Sequence, residues 1–600
     1  MRRRRAPSSR RLAAPLSRRA VFRGAAAGGA MAAFGANAPK PASAAQSATP
    51  AATPEAGGTE ILWDTWGVPH IFADDVAGLF HAFGWAQLHS HGDLILRLYG
   101  QARGRGAEYW GADYLDSDRL LQTMGFPERA PLWHDAQSPA FQRYLDAFAA
   151  GMNAYAAAHP DRLADDVKVV LPVSALDVLA HGQRFWFAFL TGGGDRARLI
   201  APDLLGFPAG SNGWAIGPAR TADGHAMLLA NPHLPWSDLY LFYEAHLVVP
   251  GVYDVSGATL VGAPILAIAF NDALGWTHTV NTIDGWDAYA LAPDGDGYRF
   301  GGETRPFATE TKTLRVKQPD GTLRDEPLVV RRSVHGPVIA ERDGKPIALR
   351  VVGVDQALVT GCLEQWWEMG RAQNLEAFEA ALRRMQLAMF NVLYADRDSR
   401  ILAFYAGRVP KRSRGDWAFW SGILPGDDPD LVWTETLPYD ALPRLVDPAS
   451  GWVQNANDPP WTMTLPPPFH PSDFPPYLAP PLGDDGPGMR AQRSMRMLVE
   501  APPFTFDRLI DDANATTVEL ADRLLDDLLI AARDSESDVA RRAADVLAAW
   551  DRRTEADSRG AVLFVLWSEA AQNRVRDSGR PFFAVPWDEQ APLATPAGLT

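Results

Sequence analysis

The chain has 600 residues, 47% of them apolar, so it can bury either more than one ordinary core or one unusually large core. Its formal net charge is −15, and because residues 1–45 carry ten Lys or Arg and no acid, their removal takes the charge to −25. Such an acidic protein lacks the basic face that nucleic-acid and anionic-membrane partners require, and the single cysteine, Cys362, excludes an internal disulfide.

Residues 1–45 are predicted to be an export signal. The pair Arg18-Arg19 precedes a weakly apolar Ala/Gly-rich run and a small-residue "ASA" ending, a pattern typical of twin-arginine signals. The alternative is a disordered basic tail. The run lacks the about 20 strongly apolar residues of a spanning helix, so we expect a periplasmic or extracellular protein without a membrane anchor. Residues 46–58 are predicted to be a low-complexity linker.

Helices are predicted first along the chain and strands second. Apolar residues recur at helical spacing from Leu79 to Leu98, and again in "FQRYLDAFAAGMNAYAAA" and "LDVLAHGQRFWFAFL". After Gly210 come short aromatic and β-branched segments separated by turn residues, beginning with "GWAIG", "HAMLLA" and "YLFYEAHLVVP". Later segments predict a helix at "NLEAFEAALRRMQL", a long ordered loop or lid from Asp458 to Gly488, and further helices in the C-terminal third.

Ser211 stands directly after Gly210, where the first predicted strand begins. The turn signal "TADGH" predicts a hairpin in which Ser211 lies opposite about residue 235. His233 is then within two residues of that point, about 7 Å at strand rise, and its side chain can approach the serine. The alternative is a structural histidine at a strand end.

The common hydrolase motifs are absent from the sequence. It contains no GxSxG elbow, no serine followed three residues later by lysine, no HExxH zinc motif and no Walker loop. What is left is a serine that becomes an N-terminus if the Gly210-Ser211 bond is cut. A free α-amino group has a pKa of about 7.7 to 8.0, which suits a base at working pH.

Six segments in order carry a family resemblance: "GVPHI", "GSNGWAIGP", "LLANPHLPW", "YEAHLVVPG", "IAFNDALGWTHTVN" and "WVQNANDPPW". The chain resembles the penicillin acylase family of N-terminal nucleophile hydrolases over residues 59–500, and within it the cephalosporin acylase and acyl-homoserine-lactone or aculeacin acylase branches. The resemblance implies an α+β fold, an αββα sandwich of two antiparallel sheets covered by helices, with a mostly helical α-chain segment.

The resemblance also implies a precursor that cuts itself before Ser211. The α-chain region would be residues 59–194, the excised spacer 195–210 and the β-chain region 211–600, and the two chains would form a heterodimer. Family β-chains are longer than this one, so we expect the β-chain region to be C-terminally incomplete and to lack a carboxylate that supports the histidine in some relatives.

Ser211 matches the nucleophile of the family. Its oxyanion donors are implied to be the backbone N–H of Val280 and the side-chain amide of Asn457. From the residues alone, a turn-capping asparagine before Pro459 is the favoured interpretation of Asn457. Asn455 is the second choice for the oxyanion donor.

Three further residues match supporting positions of the family. His233 marks the histidine-bearing branch and is expected to assist processing and positioning. Arg490 matches an arginine near the site, and Tyr243 matches an aromatic that lines the acyl pocket or is an ordinary strand residue. Ala267 stands where glutaryl-accepting relatives carry arginine, which favours apolar acyl groups.

A structural calcium ion is implied by some relatives, with Asp284 and Asp287 as two of its ligands. The alternative is a solvated turn, and no cofactor is expected for catalysis. The function predicted from the resemblance is amide hydrolysis of a small acylated amine, with a β-lactam, homoserine lactone or lipopeptide as the amine-bearing core. The alternatives are a non-processing binding or scaffold protein and a β-lactam-binding hydrolase, the latter disfavoured by the missing motifs.

Overall fold

The computed structural model describes residues 58–192, 210–354, 361–501 and 503–600. The predicted export signal, nearly all of the linker and nearly all of the predicted spacer therefore lie outside the described residues. The described chain divides into two compact units, the larger one ending at Ala515 apart from a short return at 585–596. Among the described helices, none is both long enough and apolar enough to cross a membrane.

The larger unit contains helices at both ends and a helical pair in the middle. The longest begins at Val76, where the Asp75 carboxylate accepts a hydrogen bond from the Gly78 N–H at 2.7 Å and so caps the first turn. The helices are α1 (Val76–Ala102), α2 (Gly106–Trp110), α3 (Leu115–Met124), α4 (Phe126–Asp135), α5 (Pro139–Ala158), α6 (Ala175–Thr191), α7 (Cys362–Arg371), α8 (Leu375–Leu382), α9 (Trp417–Trp420), α10 (Met489–Glu500) and α11 (Phe506–Ala513).

Two strands precede α1, and the others fill most of the chain between α6 and α10. They are β1 (Glu60–Trp63), β2 (Pro69–Phe72), β3 (Gly210–Ile216), β4 (Met227–His233), β5 (Phe242–Val249), β6 (Tyr253–Leu260), β7 (Ile268–Phe270), β8 (Leu274–Thr279), β9 (Trp286–Ala290), β10 (Pro293–Asp294), β11 (Gly297–Phe300), β12 (Glu303–Pro306), β13 (Ala308–Lys317), β14 (Leu323–Ser333), β15 (Gly336–Arg342), β16 (Lys345–Val351), β17 (Met389–Asp396), β18 (Ile401–Gly407), β19 (Ile423–Pro425), β20 (Arg444–Val446) and β21 (Trp452–Asn455).

Four sheets result. The largest has the order β1-β2-β5-β6-β7-β8-β17-β18-β20 and is antiparallel except where β2 meets β5. Strand β3, which carries Ser211, forms a small antiparallel sheet in the order β21-β3-β4. The order β13-β14-β15-β16-β9-β19 forms a third sheet, and β10-β11-β12 forms the fourth.

The small sheet and the large sheet pack face to face, with helices on their outer sides. A β-carbon on Gly213 of β3 would lie 3.1 Å from side-chain atoms of both Thr277 in β8 and Leu393 in β17. The opposite face of β3 carries Trp214, which is buried among residues of α10 and α11. On the far face of the large sheet, His278 of β8 packs against Trp366 of α7. The expected αββα layering and α+β class are confirmed.

The hairpin β3-β4 has a different register from the predicted one. Ser211 lies opposite Pro232, and His233 lies opposite Gly210. The reason is that β3 ends at Ile216 and the connection then makes a 3-10 turn at Pro218–Arg220, so the loop is longer on the β3 side than a turn centred on Asp223 would be. The inference that His233 returns close to Ser211 survives this shift of three residues.

The smaller unit, described over 516–584 and 597–600, has its own core. Its buried members include Leu525, Leu547 and Phe564, contributed by three successive helices. The helices are α12 (Glu519–Arg533), α13 (Asp538–Ala548) and α14 (Arg559–Ser578), and the strands β22 (Phe583–Val585) and β23 (Ala597–Leu599) pair with each other.

Candidate active site

Ser211 is the second residue of β3 and is only 3% exposed. Side chains alternate across a strand, so Ser211 points to the same side as Gly213, toward the large sheet. Two chain segments end at this place: β8 runs into Val280, and β21 runs into the loop that carries Asn457. The fold therefore delivers the three predicted catalytic groups to one end of the interface between the sheets.

The peptide bond before Ser211 is held from several directions. The Ser211 hydroxyl donates a hydrogen bond to the Gly210 carbonyl at 2.7 Å, and the Ser211 N–H donates to Asn457 Oδ1 at 2.6 Å. The carbonyl of Ser211 accepts a hydrogen bond from Arg490 Nη1 at 2.6 Å. The Ser211 hydroxyl and the candidate scissile bond thus lie in one arrangement that several hydrogen bonds fix.

Asn457 joins Ser211 to Val280. Its backbone is left-handed, with φ of 69°, a conformation that asparagine tolerates better than most residues. Its Nδ2 donates to the Val280 carbonyl at 2.7 Å, while its Oδ1 accepts from Ser211 and also from Arg490 Nη2 at 2.8 Å. The side-chain amide therefore bridges the two segments that meet beside Ser211.

Asn455, the second choice for the oxyanion donor, is engaged elsewhere. Its Oδ1 accepts hydrogen bonds from the Thr279 hydroxyl at 2.5 Å and from the Asn457 N–H at 2.8 Å. Its Nδ2 donates to the Asp458 carbonyl at 2.9 Å. The geometry favours Asn457 over Asn455 as the candidate oxyanion donor, because only the Asn457 side chain contacts Ser211 through a hydrogen bond.

The side chains of Arg490 and His233 both lie next to Gly210. A β-carbon on Gly210 would stand 3.2 Å from Arg490 Nη2 and 3.4 Å from His233 Nδ1. Desolvation, and after it the charge of Arg490, lowers the pKa of His233, so the imidazole is neutral at neutral pH even though it reaches the solvent. Burial also lowers the pKa of Arg490, against the opposing effect of Asp458.

Asp458 is a buried carboxylate that the sequence reading did not single out. It accepts hydrogen bonds from the Ala456 N–H at 2.7 Å, the Thr462 hydroxyl at 2.5 Å and Gln454 Nε2 at 3.1 Å. Burial raises its pKa. These contacts fold the loop after β21 into the shape that presents Asn457.

Tyr243 lies in β5, a strand of the large sheet, and its ring faces α1. It is buried against Phe83 and His91, and its hydroxyl is 3.3 Å from that of Ser90. The structure thus gives Tyr243 the contacts of a core aromatic, and a pocket-lining role stays a prediction.

Asp284 and Asp287 do not fit the calcium site that the resemblance implied. Arg412 Nη2 lies 3.0 Å from a carboxylate oxygen of each, and all three side chains are buried. The Trp433 indole donates to Asp287 at 2.6 Å. A guanidinium thus stands where a cation bridging the two carboxylates would bind, and the described residues contain no cluster of three or more His, Cys, Asp or Glu suited to a metal ion.

The alternative of a solvated turn is wrong for these two residues, because both side chains are buried and the charge of Arg412 lies beside them. Burial alone would lower the pKa of Arg412, but Asp287 and then Asp284 outweigh it and the net direction is upward. The guanidinium is therefore charged and belongs to an internal ion-pair cluster, which we call the Arg412 cluster (Asp284, Asp287 and Arg412).

Comparison with known proteins agrees with this architecture. The family model described as penicillin amidase matches residues 58–594. The chain is 28% identical to acyl-homoserine lactone acylase PvdQ of Pseudomonas savastanoi pv. phaseolicola, with 92% of this chain and 78% of that protein covered. It is 27% identical to aculeacin-A acylase of Actinoplanes utahensis (89% and 76% covered) and to penicillin acylase 2 proenzyme of Pseudomonas sp. strain SE83 (87% and 73% covered).

The family model spans far more than half of the chain, and its match includes all of the residues that surround Ser211. The similar proteins are all named as acylases, which hydrolyse amides. This chain therefore belongs to the penicillin amidase family of amidohydrolases.

Proposed function

We propose that this protein is a secreted acylase precursor that cuts itself between Gly210 and Ser211 and then uses Ser211 to hydrolyse acylated amines. The observation that carries the proposal is the 2.7 Å hydrogen bond from the Ser211 hydroxyl to the carbonyl oxygen of its own upstream peptide. That contact keeps the hydroxyl next to the bond it would attack.

Self-cleavage would be an N-to-O acyl shift followed by hydrolysis. Ser211 Oγ attacks the Gly210 carbonyl carbon and loses its proton, and the C–N bond then breaks as the Ser211 nitrogen takes up a proton. The product is an ester between Gly210 and Ser211 Oγ, with a free α-amino group on Ser211. Water then hydrolyses the ester, which gives a Gly210 carboxylate and a free Ser211 hydroxyl.

The new α-amino group would act as the base of the mature enzyme. Its pKa of about 7.7 to 8.0 leaves a useful neutral fraction near pH 7 to 8, and it sits on the same residue as the nucleophile. Asn457 Oδ1, now 2.6 Å from the Ser211 nitrogen, would orient it. Substrate acyl transfer to Oγ releases the amine, and water releases the acid.

The oxyanion of each tetrahedral intermediate needs fixed donors. We assign this role to the Val280 N–H and the Asn457 side-chain amide, which the contact between Asn457 Nδ2 and the Val280 carbonyl brings together. His233 and Arg490 would hold Gly210 and Ser211 in register during cleavage. All of these groups belong to the protein, so the proposed chemistry requires no metal.

The acyl group is proposed to be apolar. Ala267 is 9% exposed and belongs to the main apolar core, in the segment where glutaryl-accepting relatives carry an arginine. Burial of an anionic acyl tail without a cationic partner is costly. The amine-bearing core is proposed to be a β-lactam, a homoserine lactone or a lipopeptide. The proposal is supported by similar proteins that are named as acylases of acyl-homoserine lactone, aculeacin-A and penicillin.

An acyl-chain panel tests the activity. Phenylacetyl, glutaryl, octanoyl and dodecanoyl amides of several amine cores are incubated with wild-type protein and with Ser211→Ala, and release of the amine is measured. We expect hydrolysis by the wild type alone, with glutaryl amides the poorest substrates. Preference for glutaryl amides contradicts the proposed acyl specificity, and equal release by Ser211→Ala contradicts the role of the serine. A folded wild type that stays uncut and inactive supports a binding or scaffold protein instead.

A further inference from the structure

We propose that Thr279 is a positioning residue that sets the distance between the two oxyanion donors. This inference rests on the proposed function, because Val280 and Asn457 are donors only if Ser211 is the nucleophile. Thr279 forms no hydrogen bond with Ser211 in the part of the chain that the structure describes. It acts through the residues on either side of the site.

Thr279 is the last residue of β8 and immediately precedes Val280. Its side chain is fully buried. The hydroxyl donates to Asn455 Oδ1 at 2.5 Å and accepts from Asn391 Nδ2 at 3.0 Å. Asn391 is its direct partner in the β8-β17 ladder. One hydroxyl thus connects two strands of the large sheet with the end of a strand of the small sheet.

The connection continues to Asn457 and closes on itself. Asn455 Oδ1, which accepts from Thr279, also accepts from the Asn457 N–H at 2.8 Å. Asn457 Nδ2 in turn donates to the carbonyl of Val280 at 2.7 Å. The covalent bond from Val280 back to Thr279 completes a ring. A ring of this kind leaves little freedom for one donor to move without the other.

The chemistry of the members fixes the direction of the hydrogen bonds. Asn455 Oδ1 can only accept, so Thr279 must donate to it, and Thr279 then has lone pairs left for Asn391 Nδ2. Within a buried network, each such bond is stronger than in water and a lost partner is costly. Removal of the Thr279 hydroxyl would therefore break one of the two links by which the ring joins the end of β8 to the end of β21, leaving only the bond from Asn457 Nδ2 to the Val280 carbonyl.

Thr277 provides a matched control on the same strand. It lies two residues earlier, on the same face of β8, and is equally buried. Its hydroxyl, in the part of the chain that the structure describes, has no hydrogen-bond partner. Replacement of either threonine by valine removes one hydroxyl and keeps the shape, so only the hydrogen bonds differ between the two variants.

The experiment compares Thr279→Val, Thr279→Ser and Thr277→Val in the full chain. Conversion of the precursor is followed over time, and kcat and KM of the converted enzyme are measured with one good amide substrate. We expect Thr279→Val to lower kcat about tenfold and to slow conversion similarly, with KM within about twofold of the wild type. Thr279→Ser restores the hydroxyl and is expected within about threefold of the wild type, and Thr277→Val at wild-type level.

Each other outcome has a defined meaning. Equal losses in Thr279→Val and Thr277→Val, a loss confined to KM, or no rescue by serine overturns the positioning role. A Thr279→Val variant with wild-type kcat and conversion overturns it as well. If the wild type itself neither converts nor hydrolyses any amide, the proposed function fails first, and that result is distinguishable because it precedes any comparison of variants.

Discussion

Two polar clusters each include a residue just after β8, Val280 beside Ser211 and Asp284 in the Arg412 cluster, and they differ in what their polar groups face. Around Ser211, amides and hydroxyls gather beside a peptide bond, and a single charged side chain, Arg490, contacts them. In the Arg412 cluster, the charges face one another. The first arrangement points donors and acceptors at a bond that can react, whereas the second neutralises its own charges.

The two clusters differ in how deeply their side chains are buried and in whether their charges are neutralised within the cluster. Arg412 and Asp287 have fully buried side chains, and the guanidinium also lies over the Trp420 ring at 4.6 Å from its centroid. Fixed charges so enclosed stabilise a fold only while both signs are present.

Arg412→Met should lower the free energy of unfolding by about 3–5 kcal/mol, because it leaves two buried carboxylates without their guanidinium. Urea unfolding of the uncut Ser211→Ala chain measures this without interference from processing. Lys411→Met is the control, since Lys411 forms only an exposed pair with Glu435 and should cost at most about 1 kcal/mol. Equal losses for the two variants would mean that the Arg412 cluster does not stabilise the fold.

Asn457→Ala should lower kcat about 100-fold to 1,000-fold, equivalent to about 2.7–4 kcal/mol, because an oxyanion donor is lost. The same variant should slow precursor conversion, which a time course on a denaturing gel measures. Asn457→Asp keeps the size but removes the donor and should be similarly impaired. A kcat of Asn457→Ala within tenfold of the wild-type value would mean that another residue is the oxyanion donor.

His278 should make stability depend on pH. Trp366 Nε1 donates to its Nε2 at 2.9 Å, and burial lowers its pKa to about 4, so the folded state keeps it neutral. The unfolded chain binds a proton near pH 6.5. Stability should therefore be unaffected above about pH 7 and fall as the pH drops from 6.5 toward 4, by about 3 kcal/mol in total.

The matched variant for this effect is His278→Gln, again in the uncut Ser211→Ala chain. His181 and His335 also have lowered pKa values, to about 4 and about 3, so the His278→Gln variant keeps the part of the pH dependence that comes from them. The difference in slope between wild type and variant isolates His278. Parallel stability curves between pH 4 and 7 would show that this histidine is not held neutral.

Removal of calcium should have the smallest effect of all. Because the guanidinium of Arg412 supplies the positive charge between Asp284 and Asp287, treatment with EGTA should leave the thermal unfolding midpoint unchanged. The same scan with added calcium chloride is the control. A midpoint that falls with EGTA and recovers with calcium would restore the calcium site implied by the family resemblance.

Much of the site was predictable because its motifs are local and ordered. The serine, Val280 and Asn457 each lie within a short segment that resembles the family in sequence, and the start of a strand at Ser211 follows from its aromatic and β-branched neighbours. The fold brings these segments together as expected. The predicted register failed by three residues because the 3-10 turn at Pro218–Arg220 has no clear sequence signal.

The supporting residues were not predictable for a different reason. Arg412 contacts Asp287 across 125 positions of sequence, and nothing in its own segment marks it as a buried cation. Thr279 looks like any β-branched strand residue, and its role depends on Asn455, which lies 176 positions away. The strand β21 spans only four residues, too few for a reliable pattern. Such partnerships exist only once the sheets have packed.

Self-cleavage at the Gly210-Ser211 bond can be measured directly from the mass and the N-terminal sequence of the purified protein. The wild-type chain and Ser211→Ala are expressed with the natural N-terminus, purified, and analysed by intact mass spectrometry and Edman sequencing. If Ser211 cuts the bond before it, the wild type gives two chains, the larger beginning at Ser211, and the Ser211→Ala chain stays joined at the Gly210-Ser211 bond. A folded wild-type protein with that bond intact, or a Ser211→Ala protein cut at it, would show that Ser211 does not cleave the chain.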